Sequence, residues 1–234
     1  MSGWSKDYKE KFEYAVELYK SGKQPKEISM LLKMDCEVLR KNLRFYGFQV
    51  KDLNINEHIW NESFSKIETE EQAYWLGMMY ADGYVSKDSN RIELTLKDKE
   101  HVEKFAKFLN LEKTRVKPKT AMGKTYFKLS FRNFTIHKDL INNGCIPQKS
   151  LYLSFPKEKI LPKNLINHFV RGYFDGDGSL GIYSNKGEKP TPQISINGTL
   201  DFLEEVSNIY SLPKNKYGKD GNAFRYSTTN KDAV

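Results

Sequence analysis

Apolar positions recur at helical spacing through the first fifty residues. Phe12, Val16 and Tyr19 predict a helix over Lys9 to Lys20, stopped at Ser21-Gly22. Pro25 suits a first helical turn, and Ile28, Leu31 and Leu32 give a second helix its apolar side. Asp35 is placed to cap a third helix with Val38, Leu39 and Leu43 inward, Glu37, Arg40, Lys41 and Arg44 outward, and Gly47 as its stop. Residues 49–70 are polar with scattered apolar positions and predict a linker, in which Trp60 and Phe64 serve as anchors.

The pattern then changes. An apolar segment AYWLGMMYADG (Ala73 to Gly83) is followed by alternating stretches at Tyr84 to Ser86 and Arg91 to Leu96, which predict strands around the turn-prone KDSN. A helix over Glu100 to Leu109, strands at Arg115 to Lys119 and Thr125 to Arg132 about Met122-Gly123, and a helix over Phe134 to Asn142 complete the series. A second segment, FVRGYFDGDG (Phe169 to Gly178), restarts it: Ser179 to Tyr183, Gln193 to Asn197, a helix from about Leu200 to Tyr210, and a strand at Asn222 to Thr228. Repetition of a whole αββαββ unit predicts a duplication with pseudo-twofold symmetry. The second copy reads as cut short, with Lys231 to Val234 as the start of its closing helix.

Both segments place a glycine (Gly77, Gly172) five residues before an Asp-Gly pair (Asp82-Gly83, Asp177-Gly178). Ala73, Gly77 and Ala81 form one narrow helix stripe, and Gly172 and Gly176 form its counterpart. A glycine inside a helix costs roughly 1 kcal/mol against alanine, so close approach of two backbones is its expected return. Helices paired along these stripes bring Asp82 and Asp177 together at their negative ends, each before a glycine suited to a left-handed cap. A divalent cation relieves that repulsion.

With their flanks, Phe64 to Val85 and Gly144 to Leu180, these two segments resemble the paired motifs of single-chain LAGLIDADG homing endonucleases. The resemblance implies an α+β fold with a duplicated αββαββα core, and the three helices in front of it resemble a small helix-turn-helix domain. The corresponding division is 1–48, linker 49–70, first repeat 71–165 and second repeat 166–234. It further implies site-specific hydrolysis of double-stranded DNA by a monomer, with Mg²⁺ or Mn²⁺ held by Asp82 and Asp177. Lys97 and Arg132 match the family's basic partners of the metal site by position, whereas the second repeat offers Asn197 or Gly198 at the first place and Thr229 at the second, and no lysine. An intron or phage context, a binding regulator whose nuclease core is retired, and an RNA-splicing maturase are further family readings. RNA is a partner only under the last. Asp175, two residues before Asp177, is expected to be structural or to support the metal's ligands from behind.

Charge sharpens the binding surface. The net charge of +8 belongs wholly to residues 71–234, because residues 1–70 hold 12 basic and 12 acidic side chains. Lys113 to Lys138 contains eight basic residues and no acid; Arg115, Lys117, Lys119, Lys124 and Lys128 are its candidate DNA contacts, joined by Arg91, Lys149, Arg40, Lys41 and Arg44. Alternation puts Arg115, Lys117 and Lys119 on one strand face. The chain lacks both a run of ~20 apolar residues and a signal-peptide core near Met1, so a cytoplasmic location and no membrane partner are expected. Cys36 and Cys145 match no metal or disulfide spacing and predict reduced thiols.

Overall fold

The computed structural model of the protein describes residues 5–48, 50, 59–149, 152–183, 190–213, 217–221 and 223–229. Contacts divide the chain into two units, Met1–Leu53 and Asn54–Val234. The first holds α1 (Lys6–Lys20), α2 (Pro25–Leu32) and α3 (Cys36–Phe45) around a core of Phe12, Ala15, Ile28, Leu39, Leu43 and Val50. Ser5 and Asp35 cap α1 and α3 by accepting from Tyr8 N and Val38 N. On α3 the expected faces are partly exchanged: Arg40 is 3% exposed and Val38 is 44% exposed. Arg40 follows Leu39 inward, and only Lys41 and Arg44 remain outside as basic groups of α3.

The second unit is a duplication. Its first half runs α4 (Glu70–Ala81), β1 (Gly83–Val85), β2 (Arg91–Leu96), α5 (Lys99–Phe108), β3 (Lys117–Ala121), β4 (Lys124–Arg132) and α6 (Phe134–Asn142). The other half runs α7 (Ile166–Asp177), β5 (Gly178–Tyr183), β6 (Thr191–Gly198), α8 (Leu200–Ile209), β7 (Tyr217–Asp220) and β8 (Ala223–Thr228). Each half forms an antiparallel sheet of the same order, β1-β2-β4-β3 and β5-β6-β8-β7. The polar stretch before α4 joins this core, since Ile59, Phe64 and Ile67 are buried in it and Trp60 packs edge-on against Phe108.

Three local expectations need correction. Arg115 lies in a 3₁₀ turn, Lys113–Arg115, ahead of β3, so it does not share a strand face with Lys117 and Lys119. The strand β7 escapes the apolar alternation; the Asp220-Gly221 pair is its signal, with Gly221 at φ 60 in the β7–β8 turn. Gly83 and Gly178 are not left-handed caps: Gly178 is extended at φ −97, ψ 166, and neither has a positive φ. Both are glycine for space, because a β-carbon at Gly83 would stand 2.5 Å from the Met79 carbonyl oxygen and one at Gly178 2.5 Å from Phe174 Cγ.

The two halves are covered unequally. Helix α6 packs on β1 and leaves Val85 3% exposed, whereas Leu180 on β5 is 66% exposed. The closing helix expected at Lys231 to Val234 lies outside the described residues.

Behind α4, the Tyr80 hydroxyl donates to the Asn143 carbonyl at 2.5 Å, and Asn143 Nδ2 donates to the Phe64 carbonyl at 2.6 Å. Gly144, at φ 92, leaves room for that hydroxyl. Tyr80→Phe strands a buried carbonyl and should cost about 1–3 kcal/mol in urea unfolding. An unchanged midpoint would show that water reaches Asn143.

Candidate active site

Helix α4 begins with a reciprocal cap, in which Gln72 N donates to Thr69 Oγ1 and Thr69 N donates to Gln72 Oε1. It then buries Gln72 through Tyr80 without an exposed face, the mark of a helix enclosed on all sides. Its closest neighbour is α7, and the small residues set the spacing. A β-carbon on Gly77 would collide with the Phe169 carbonyl oxygen and lie 2.8 Å from Tyr173 N. One on Gly172 would collide with the Tyr74 carbonyl oxygen and lie 3.1 Å from Met78 N. Gly176 faces Ala81 Cβ at 2.5 Å and Asp82 Oδ2 at 2.9 Å, measured from the β-carbon it lacks. Ala73 is fully buried in the same core.

Asp82 and Asp177 therefore leave two touching helices at the same end. Burial raises the Asp82 carboxyl above its ordinary value, and Lys149 opposes the rise. Burial and then the charge of Asp82 push Asp177 up to about 6, against Lys149 and the Tyr173 hydroxyl. Two acids that each resist ionisation because of burial, one also because of the other, form a site that a cation would relieve. The Tyr173 proton is donated to the Asn197 carbonyl at 2.8 Å. Lys149 Nζ is tethered by donating to the Gly83 carbonyl, which holds its charge beside both aspartates.

A cavity opens on each side of the helix pair. Asp82, Lys97, His101, Tyr126 and Asp175 line one of about 500 Å³. Asp177, Lys149, Tyr80, Tyr173, Asn197 and Thr199 line the other, about 330 Å³. Asp175 is tied down within the first: Tyr74 donates to its Oδ2 at 2.7 Å, and His101 Nε2 stands 2.8 Å from the Tyr74 hydroxyl. Across the pair Tyr80, buried, takes the corresponding place.

Of the basic partners suggested by position, the structure gathers Lys97 with Asp82 and leaves Arg132 apart. Gly83 pairs with Leu94 and Leu94 with Leu129, so Arg132 stands about 10 Å further along the sheet, opposite Arg91. Lys149, a surface contact by composition, belongs to the centre instead. It sits in an irregular stretch with no periodicity to mark it; its only sequence signal is the polar Gln148-Lys149-Ser150 after the buried Cys145. The Cys145 thiol, pushed up to about 11 by burial, donates to the Met79 carbonyl and is chemically quiet.

The faces of the two sheets turned away from the buried helices differ. Pairing places Tyr84, Arg91, Glu93, Thr95, Tyr126, Lys128, Ser130, Arg132, Lys117, Lys119 and Lys124 on one face of the first sheet, opposite the buried Ile92, Leu94, Leu129 and Phe131. Glu93, its one acid, is held by Lys128 at 3.5 Å, Arg91 at 3.7 Å and the Ser130 hydroxyl at 2.8 Å. Arg115, half-buried at the 3₁₀ turn, is not part of it.

Residues 69–143 match the family model of the LAGLIDADG-like domain. Those residues are a LAGLIDADG-like domain. The chain is 25% identical over 146 residues to the probable translation initiation factor IF-2 of Methanocaldococcus jannaschii, covering 57% of itself and 11% of that protein. It is 30% identical over 116 residues to the replication factor C small subunit of the same organism, covering 49% of itself and 6% of that protein. The chain thus spans only a small part of the curated relatives it matches. Among solved structures, I-SmaMI bound to an uncleaved DNA target in the presence of calcium ions aligns at 15% identity and a TM-score of 0.46, covering 71% of this chain and 81% of that one. Full-length DUF199/WhiA from Thermatoga maritima aligns at 15% identity and a TM-score of 0.42, covering 74% and 57%. The LAGLIDADG-like domain contains α4, Asp82 and the whole basic sheet; Asp177 and Lys149 come from beyond it. No helix among the described residues is long and apolar enough to cross a membrane.

Proposed function

We propose that the protein is a metal-dependent, site-specific endonuclease of double-stranded DNA, acting as a monomer with one aspartate from each repeat. The observation that carries this reading is the meeting of Asp82 and Asp177 beside Lys149 at the ends of two touching helices. The donor chemistry fits a hard divalent cation. Among the described residues no cluster of three His, Cys, Asp or Glu forms, and Mg²⁺ takes few protein carboxylates because it keeps water and accepts phosphate oxygens. Mg²⁺ or Mn²⁺ bound there would supply charge neutralisation at phosphorus and a more acidic water.

The residues then divide the work. Asp82 and Asp177 would hold divalent metal from opposite repeats, each able to serve one strand of the duplex. Lys149, fixed by the Gly83 carbonyl, adds positive charge where the pentacoordinate transition state becomes most negative. Lys97 does the same from the strand side of the Asp82 cavity, and the open basic sheet holds the duplex backbone. Lys41 and Arg44 on α3 add DNA contacts of their own.

Incubating the protein and Mg²⁺ with a randomised duplex library, then sequencing the cut ends, tests the reading. Discrete cleaved sites are expected, and Lys149→Met should lower the rate on them by about 10²–10³ with little change in binding. Duplex binding without any cleavage would favour the regulator, and splicing of an intron RNA without duplex cleavage the maturase.

A further inference from the structure

The duplication is symmetric in topology and unsymmetric in charge. Residues 71–165 contain 18 basic and 10 acidic side chains, while residues 166–234 contain 8 of each. The entire excess of +8 therefore lies in the first repeat. The sheet faces say the same at the level of single positions. On the second sheet, Gly178 pairs with Ile196 and Ile196 with Tyr226, which fixes the face toward the buried helices. The opposite face carries Ser179, Gln193, Ser195, Asn197, Arg225 and Ser227. Arg225 is the one cation among these described strand positions, and its Nε donates to Asn197 Oδ1 at 3.0 Å. The first sheet presents six cations on the equivalent face.

A lysine row such as Lys117, Lys119, Lys124 and Lys128 meets phosphates mainly as point charges, releases counterions and makes binding salt-dependent, whereas arginine is the cation suited to reading guanine. Neutral amides and hydroxyls release no counterions, so they add nothing to the salt slope, and at base edges they discriminate among fixed patterns of donors and acceptors. We propose that the two sheets divide recognition: the first grips the backbone of its half-site, and the second reads bases through Gln193, Ser195 and Ser227, with Arg225 aimed by Asn197. The proposal rests on the duplex-DNA reading above and adds an unequal half-site. Salt sensitivity belongs to the first half and sequence stringency to the second.

Equilibrium binding of the full chain in Ca²⁺ tests the division, on a duplex recovered from the cleavage selection and on its single-base variants, from about 50 to 300 mM salt. Lys117→Gln with Lys119→Gln should lower the slope of log affinity against log salt by about 2, at roughly 0.9 per contact, and leave base preference unchanged at every position. Gln193→Ala with Ser195→Ala should keep the slope and flatten preference over one half-site. Gln193→Lys should raise the slope by about 1, which separates lost recognition from lost folding. The division is overturned if the glutamine and serine changes leave preference intact, or if the lysine changes alter it as strongly as they alter the slope. If the wild-type chain binds no duplex at all, the DNA reading fails first and the division with it.

Discussion

Replacing Asp177 by Asn is expected to stabilise the metal-free protein while removing its cleavage. Asp177 is pushed up to about 6 by burial and by the charge of Asp82, against an ordinary value of 3.8. Between about pH 4 and 6 the native state keeps a proton that the unfolded chain has released, so stability falls as pH rises through that window. Above pH 6 the full penalty is present, about 3 kcal/mol, or roughly 9 °C in a chain of this size. An asparagine side chain carries no charge, so the variant should melt higher than wild type at pH 7.5 and match it near pH 4. Mg²⁺ or Ca²⁺ should raise the wild-type melting temperature more than the variant's if, as proposed, a cation binds the carboxylates that destabilise the native state. Cleavage should fall by at least about 10³, since a cation site worth several kcal/mol in the transition state has lost a ligand. A variant that gains no stability at neutral pH, or cuts at the wild-type rate, would remove Asp177 from the centre.

This trade between stability and chemistry was partly written in the sequence. Two Asp-Gly pairs at matched distance from a helix glycine located the carboxylates, and alternation located seven of the eight strands. Side-chain destinations that depend on tertiary register were not legible. Arg40 looks like a surface cation until Leu39 and Leu43 fix the rotation of α3 and carry it inward. Arg132 is separated from Asp82 by pairing register, which a single strand does not reveal. Lys149 reaches the aspartates from a stretch without periodicity, so nothing local distinguishes it from the other lysines. The difference between the sheet faces required both alternation and pairing, since each basic residue of the first repeat appears equally exposed when read alone.

Gly172→Ala should be among the most damaging single changes in the chain, although its direction on an isolated helix is the opposite. Alanine gains about 1 kcal/mol over glycine in a helix interior. At Gly172 the added carbon would run into the Tyr74 carbonyl oxygen and stand 2.8 Å from the carbonyl carbon, both backbone atoms of the facing helix. Backbone does not move aside as a flexible side chain does, so α4 and α7 must separate along their length. The expected loss is about 3 kcal/mol or more in urea unfolding, with Gly77→Ala similar because it meets Phe169 in the same way. Gly181→Ala provides the control: nothing lies within 4 Å of its added carbon and its φ is not positive, so its effect should stay within about 0.5 kcal/mol. Separation of the helices also pulls Asp82 from Asp177. Any Gly172→Ala protein that remains folded should therefore bind divalent cations more weakly and show a lower Asp177 pKa, since part of the rise comes from its neighbour. A net gain in stability would mean that helix propensity, not contact between the two backbones, governs the pair; unchanged cation affinity at lowered stability would place the metal ligands independently of helix spacing.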